Sequence, residues 1–107
     1  MVSSKVKNIN AEEAYNLIKE NRDVVILDVR SKEEYDNGHI PGAKLVPVQV
    51  LSTKLTELSE YKDKPVLVYC ASGGRSPRAV DSLVNNDFKD IYHLVRGLSS
   101  WRYNVIR

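Results

Sequence analysis

The one cysteine of the chain, Cys70, stands at the start of a short glycine-containing segment, 71–76 (Ala-Ser-Gly-Gly-Arg-Ser). The run before it, 65–69, is apolar and rich in β-branched residues, which predicts a buried strand. Ser76 and Pro77 are residue types favoured at the cap and first turn of a helix, and apolar residues follow them at helical spacing. We therefore expect Cys70 at the carboxyl end of a strand, facing a tight loop that enters a helix.

A loop of this kind can stabilise a negative charge at its centre. Backbone N–H groups point inward where the chain curls, and the helix start adds unpaired N–H groups and the positive end of the helix dipole. Gly73 and Gly74 permit the positive φ angles that such a curl needs. A lone cysteine at a strand end is more often a small buried apolar residue. The residues around Cys70 favour a thiolate nucleophile instead.

The composition describes one ordinary globular domain. A chain of 107 residues suffices for a single core, so we expect one domain over 1–107. The net charge of +2 comes from interspersed charges, which gives no support to nucleic-acid binding. The apolar runs are too short to cross a membrane, and no signal-peptide core follows the first residues. A single cysteine excludes an intrachain disulfide, which favours a reducing, cytoplasmic setting.

Hydrophobic periodicity predicts alternating strands and helices along the chain. Strands are expected at 6–9, 24–29, 44–46, 65–69 and 91–95, and helices at 11–21, 31–37, 48–58 and 76–86, with a final helical turn within 98–103. Asn10 with Glu13 and Ser31 with Glu34 have the spacing of capping boxes. Ser52 and Thr53 are candidate caps of the third helix, and 85–86 is the expected left-handed end of the fourth.

This order of elements predicts an α/β fold, with a parallel sheet and helices on both of its faces. Ligands of such sheets bind beyond the carboxyl ends of the strands. Cys70, Asp28 and Arg30 are all expected at that edge. The candidate site therefore combines a nucleophilic thiol with charged side chains from the neighbouring strand.

Three segments, in order, resemble the signatures of rhodanese-like domains. Segment 27–30 (Leu-Asp-Val-Arg), with Glu34-Tyr35 and 38–43 (Gly-His-Ile-Pro-Gly-Ala), resembles their first signature, and 70–76 resembles their active-site loop. Segment 96–98 with Trp101 is similar to their closing element, although Leu98 replaces the usual second glycine. The resemblance covers about residues 8–103. It implies a central parallel five-stranded sheet flanked by helices, and a thiosulfate sulfurtransferase activity.

The resemblance also implies a mechanism. The Cys70 thiolate attacks the sulfane sulfur of thiosulfate or a persulfide, and a cyanide or thiol acceptor then takes that sulfur from the Cys70 persulfide. The implied partners are a small anionic sulfur donor and a thiol or cyanide acceptor, with a protein persulfide as a further donor or acceptor. No metal or cofactor is implied. The loop residues expected to bind the substrate are Ala71, Ser72, Gly73, Gly74, Arg75 and Ser76.

The charged residues near the loop have two possible functions. Arg75 either binds the anionic donor or braces the loop by a two-point contact with Asp28, and bracing is favoured. Arg30 and Glu34 are expected to form a structural ion pair. Asp28 and Arg30 are thus supporting residues of the site.

The histidines are given structural roles at this point. His39 lies in a turn motif that is structural in the family. His93 alternates with apolar neighbours on a predicted strand, which indicates packing, and no cysteine–histidine pair is evident. Ser76 is expected to cap the helix after the loop.

Two other functions are compatible with a reactive cysteine in a loop. A cysteine phosphatase or arsenate reductase also uses a cysteine-to-arginine loop, but phosphatase chemistry needs one more residue than the four that separate Cys70 from Arg75. A non-enzymatic binding module or persulfide carrier would use the same loop and the same cysteine. The carrier differs from the enzyme only in which donor and acceptor meet Cys70.

Overall fold

The structure is a computed structural model that describes residues 5–107. The described part contains the strands β1 (Val6–Ile9), β2 (Val25–Asp28), β3 (Lys44–Leu45), β4 (Val66–Tyr69) and β5 (Ile91–Leu94). Its α-helices are α1 (Ala11–Glu20), α2 (Lys32–Asp36), α3 (Leu51–Leu58) and α4 (Ser76–Asn85), and 3-10 turns lie at Val48–Val50, Ser59–Tyr61 and Gly97–Ser100. The strands form one parallel sheet in the order β1-β5-β4-β2-β3. The predicted five-stranded parallel sheet is confirmed.

Strand β4 lies in the middle of the sheet, and all of its residues are buried. Val66 and Val68 pack into one core with residues of α3 and α4. Leu67 and Tyr69 point to the other face, where they pack with residues of α1 and of the C-terminal segment. Helices therefore cover both faces of the sheet, as the alternating sequence pattern predicts. No helix within residues 5–107 has the length and apolar character needed to cross a bilayer.

Both predicted capping boxes are present. The Asn10 side chain accepts a hydrogen bond from the Glu13 N–H at 2.8 Å, and the Glu13 carboxylate accepts one from the Asn10 N–H at 2.9 Å. The same reciprocal pair joins Ser31 and Glu34, at 3.3 and 3.0 Å. These local bonds satisfy N–H groups that a helix start leaves unpaired, and they explain why α1 and α2 begin where they do.

The prediction that Ser76 caps α4 is wrong. Ser76 is the first residue of the helix, and Arg75 holds the cap position without a side-chain cap bond. The physical reason is that the Ser76 hydroxyl is occupied by Cys70 and His93, which lie on the sheet side of the helix start. Pro77 still lies within the first turn, where its missing N–H is tolerated.

Two other helix ends also differ from the prediction. Neither Ser52 nor Thr53 caps α3, because a 3-10 turn precedes the helix and the Thr53 hydroxyl donates back to the Val50 carbonyl instead. After α4 the left-handed residue is Asp87, with φ of 71°, and not one of the asparagines at 85–86. Asparagine and aspartate both tolerate this conformation, so composition alone does not choose between them.

The turn after β5 packs directly against the loop that begins at Cys70. Gly97 has φ of +61°, and a Cβ added there would lie 2.3 Å from the Cys70 carbonyl oxygen. The Leu98 N–H donates to that oxygen at 2.9 Å, and the Ser99 N–H donates to the Ala71 oxygen at the same distance. The turn therefore fixes two carbonyl groups of the loop. A leucine is accepted at 98 because the contact with the loop uses its backbone N–H, while its side chain packs against the core.

We expect Gly97→Ala to lower the free energy of unfolding more than Gly42→Ala does. Both glycines have positive φ, +61° and +86°, so each alanine meets a similar backbone penalty of about 1 kcal/mol. Only the Cβ at 97 meets neighbouring backbone atoms, whereas nothing lies within 4 Å of a Cβ at 42. The extra loss should be about 2 kcal/mol in urea denaturation. Equal losses would show that the turn can leave the loop without cost.

Candidate active site

Cys70 directly follows β4 and is only 1% exposed. The Gly73 N–H donates to its Sγ at 3.1 Å, and the Ser76 Oγ lies 3.4 Å from the same sulfur. Gly73 has φ of +97°, and a Cβ there would lie 2.0 Å from the Val95 carbonyl oxygen. Gly74 has no positive φ and open space around it, so the positive φ that both glycines permit is used only at Gly73. A single glycine with positive φ, Gly73, is enough to curl the loop around the sulfur.

Hydrogen bonding around the sulfur favours the thiolate form. Burial raises the pKa of the Cys70 thiol, since it disfavours a charge. Hydrogen bonds from the Ser76 hydroxyl and from the N–H groups of Arg75, Ser76 and Gly73 act in the opposite direction. Together they outweigh burial, and the pKa of Cys70 lies below its ordinary value. The loop is therefore built to hold a sulfur anion.

Asp28 lies at the end of β2 and is fully buried. Its carboxylate accepts hydrogen bonds from Arg30 Nε at 2.9 Å and Nη2 at 2.7 Å, and from the Tyr69 hydroxyl at 2.6 Å. Arg30 Nη2 also donates to the Gly38 carbonyl, and the Ile40 N–H donates to the Tyr69 oxygen. Burial, with the bond to Asp28, raises the pKa of Tyr69, so this hydroxyl remains a donor. The cluster holds the turn at 38–42 against the strand ends.

The two predicted ion pairs are wrong, because the partners are exchanged. Arg75 Nη1 and Nη2 donate to Glu34 Oε1 and Oε2 at 2.7 and 2.8 Å, while Arg30 pairs with Asp28. Arg30 is two residues from Asp28 and folds back onto the buried carboxylate. Arg75 lies at the partly exposed mouth of the loop and meets the first turn of α2. Arg30 thus pairs with a buried carboxylate, and Arg75 pairs with a partly exposed one.

Glu34 joins the loop to α2. The Arg75 hydrogen bonds are the main cause that lowers the pKa of Glu34 to about 2, and bonds from Ser31 contribute to the same shift. The Ser31 N–H and hydroxyl both donate to Oε1, the oxygen that Arg75 Nη1 also contacts. One carboxylate therefore completes a helix cap and receives the loop arginine. The capping-box spacing predicts the first function but not the second.

His93 is the residue of the site that the sequence analysis does not identify. It is 8% exposed, as a packing residue would be, but its Nε2 lies 2.6 Å from the Ser76 Oγ. The Asn8 side-chain oxygen lies 3.3 Å from its Nδ1. His93 pairs with Val68 in the register of β5 and β4, so it lies beside the strand that ends at Cys70. The pairing of β5 with β4 is therefore the information that would have identified His93 as a neighbour of the cysteine.

The loop residues contribute to the site in different ways. Gly73, Arg75 and Ser76 bring hydrogen-bond donors to the sulfur, and the Ala71 carbonyl is held by the turn after β5. Ser72 is exposed. Within residues 5–107, no group of three or more His, Cys, Asp and Glu side chains is placed to hold a metal ion.

Comparison with known proteins gives a consistent result. The family described as "Rhodanese-like domain" matches residues 10–104. The chain is 41% identical over 98 residues to thiosulfate sulfurtransferase GlpE of Coxiella burnetii, covering 90% of this chain and 87% of that protein. It is 34% identical over 101 residues to the uncharacterized protein YibN of Escherichia coli, covering 94% and 70%. A crystal structure of a rhodanese-like domain protein from Staphylococcus aureus superimposes with a TM-score of 0.80 at 34% identity, covering 89% of this chain and 90% of that one. The chain belongs to the rhodanese-like domain family, as its three sequence signatures predict.

Proposed function

We propose that this domain is a sulfurtransferase that moves a sulfane sulfur through a persulfide of Cys70. The observation that carries the proposal is the environment of the sulfur. It is buried at a strand end, yet it accepts the Gly73 N–H at 3.1 Å and lies 3.4 Å from the Ser76 hydroxyl, with a lowered pKa. The likeness to a thiosulfate sulfurtransferase over most of both chains supports the same activity.

In the first half-reaction the Cys70 thiolate attacks the outer sulfur of thiosulfate or the sulfane sulfur of a persulfide. The donor S–S bond breaks, and its electron pair leaves with sulfite or a thiolate. The Cys70 persulfide keeps one negative charge, which the N–H groups of the loop stabilise. The loop therefore serves the nucleophile and the covalent intermediate alike.

In the second half-reaction cyanide or a thiolate attacks the outer sulfur of the persulfide. The S–S bond breaks, and Cys70 leaves as a thiolate, the state with which the cycle begins. Because donor and acceptor use the same cysteine in turn, the kinetics should be ping-pong. No step calls for a metal or a cofactor.

The contacts of Arg75 support a bracing function. Both of its terminal nitrogens are taken by Glu34, and this neutral pair offers little attraction to a dianion. Positions 71 and 72 carry no basic residue either. Thiosulfate thus serves as an assay donor, and a thiol persulfide, free or on a protein, carries less negative charge for the loop to attract. A reducing, cytoplasmic setting would supply such thiols.

Thiosulfate should add one sulfur atom, about 32 Da, to the protein, and cyanide should remove it. Intact-mass measurement after each incubation checks both half-reactions. Cys70→Ser should gain no mass while its circular dichroism and urea midpoint stay close to wild type. Loading from a thiol persulfide but not from thiosulfate would favour the persulfide carrier. An adduct that persists in Cys70→Ser would contradict the mechanism.

Arg75→Lys and Glu34→Gln should slow sulfur loading to a similar extent. Lysine keeps the charge but loses the two-point contact, and glutamine removes the acceptor, so either change should cost about tenfold in rate. The double variant should be little worse than either single one. Asp36→Asn is the control, since it removes the exposed pair with Lys32 on the same helix. If Arg75 instead binds the donor, Glu34→Gln will accelerate loading by releasing the guanidinium.

The Arg75–Glu34 pair should stabilise the fold at neutral pH and lose this effect in acid. A carboxyl whose pKa falls from 4.5 to about 2 on folding stabilises the protein above pH 4.5, and this stabilisation disappears as the pH falls through 2. Because both side chains are about one-third exposed, the effect at pH 7 should be below about 1 kcal/mol.

Urea unfolding of wild type and Glu34→Gln checks this pH dependence. At pH 3 the difference between the two proteins should be less than about half its value at pH 7. A difference that stays constant down to pH 3 would show that the bond to Arg75 does not depend on the charge of Glu34.

A further inference from the structure

The Ser76 hydroxyl lies between the thiol and a buried imidazole. Its oxygen is 3.4 Å from Cys70 Sγ and 2.6 Å from His93 Nε2, and Ser76 itself is fully buried. We propose that His93 receives the proton of Cys70 through the Ser76 hydroxyl and so sets the pH at which the thiolate forms. This inference rests on the proposed function, because it concerns the thiolate that begins sulfur transfer. His93 acts through Ser76 and is a positioning residue.

The hydrogen-bond donors and acceptors fix the direction of the relay. The Asn8 side-chain oxygen can only accept, so the Nδ1 that lies 3.3 Å from it carries the ring proton. Nε2 of neutral His93 then presents a lone pair to the Ser76 hydroxyl, which donates to it. The Ser76 oxygen remains free to accept the S–H of Cys70.

The proton transfer is balanced in atoms and charge. The Cys70 S–H bond breaks and its proton bonds to the Ser76 oxygen, while the original hydroxyl proton moves to His93 Nε2. The products are a thiolate, an intact hydroxyl and an imidazolium, so the net charge is unchanged. The new Ser76 O–H now points to the sulfur and stabilises its charge. The reverse transfer restores the thiol.

The groups that face His93 leave it able to accept a proton. Burial lowers the pKa of His93, so Nε2 is unprotonated before the transfer, and the imidazolium that the transfer creates depends on the negative charge of the nearby thiolate. Strand β1 presents the uncharged Asn8 and α4 presents the Ser76 hydroxyl. Lys7 of β1 lies on the opposite face of the sheet, where its ammonium is 5.9 Å from the ring of Tyr92. No lysine or carboxylate from these contacts competes with the relay.

On the other side of the thiol, the charged group is Arg75. Its guanidinium interacts with the Cys70 charge, but Glu34 occupies both terminal nitrogens. The positive charge of Arg75 is thus already balanced before the thiolate forms. An imidazolium at His93 supplies a positive charge that appears together with the thiolate.

Alkylation of Cys70 by iodoacetamide between pH 5 and 10 tests the relay without any sulfur donor. Relative to wild type, His93→Gln should react about tenfold more slowly at pH 7, with its midpoint about one pH unit higher and the same rate at the alkaline plateau. His39→Gln is the matched control, because His39 stacks on Tyr35 and binds the Tyr35 carbonyl. Superimposable profiles of His93→Gln and wild type would overturn the proposal.

Ser76→Ala removes the middle of the relay and should shift the profile in the same direction. Adding His93→Gln to it should cause no further shift, because the two residues act through one path. Additive shifts would overturn the relay. His93→Asn provides a second variant at that position if His93→Gln does not fold.

Nuclear magnetic resonance gives an independent readout on a folded protein. Titration of the His93 ring in wild type and Cys70→Ser should show that loss of the thiol moves the His93 midpoint. An unchanged His93 midpoint would overturn the inference. Failure of sulfur loading together with the expected alkylation shift would reject the proposed function alone. Normal loading with superimposable alkylation profiles would reject the relay alone.

Discussion

On the proposed function, the structure depends on one physical constraint, which is that a sulfur almost closed off from water must carry a negative charge. Burial opposes the Cys70 thiolate, so its solvation has to come from fixed N–H and O–H groups of the protein. The loop provides them only while it keeps its curl. Three features maintain that curl. They are the positive φ of Gly73, the two hydrogen bonds that the turn after β5 donates to loop carbonyl groups, and the ion pair of Arg75 with Glu34.

The charged residues around the site divide into a buried layer and a surface layer. Asp28 is fully buried and satisfied by Arg30 and Tyr69, a pairing that holds the strand ends and the following turn together. Removing one partner of such a buried pair leaves an uncompensated charge, so substitutions in this layer should destabilise the fold strongly. The Arg75–Glu34 pair is partly exposed and therefore weaker, which suits a contact that braces a loop. The two pairs do not share a residue, so the loop brace and the strand-end cluster can be tested by separate substitutions.

The sequence predicts features that depend on neighbouring residues. It does not predict side-chain contacts that depend on how distant elements pack together. Apolar runs place the strands, and residue pairs three apart place the starts of α1 and α2, because those signals act within one turn of chain. The choice of ion-pair partner depends on how deeply each side chain is buried at the sheet edge. The spacing of residues along the sequence does not give this burial, so the prediction exchanges the partners of Arg30 and Arg75. The residues around Ser76 are typical of a helix N-cap, but its hydroxyl contacts Cys70 and His93 instead of a backbone N–H group of the helix. The link from Asn8 to His93 exists because β1 pairs with β5 across 85 residues of chain.

On the proposed mechanism, the loop N–H groups stabilise both anionic stages of the cycle, whereas the hydroxyl relay acts on the thiolate. In the thiolate the charge lies on Sγ, within reach of Ser76. Loading adds a sulfur about 2.05 Å from Sγ, and the negative charge moves to that outer sulfur. Ser76 and His93 then have less negative charge to stabilise at Sγ. The charge returns to Sγ when the acceptor takes the outer sulfur, so the relay acts on the attacking thiolate and on the leaving thiolate, which are the same atom.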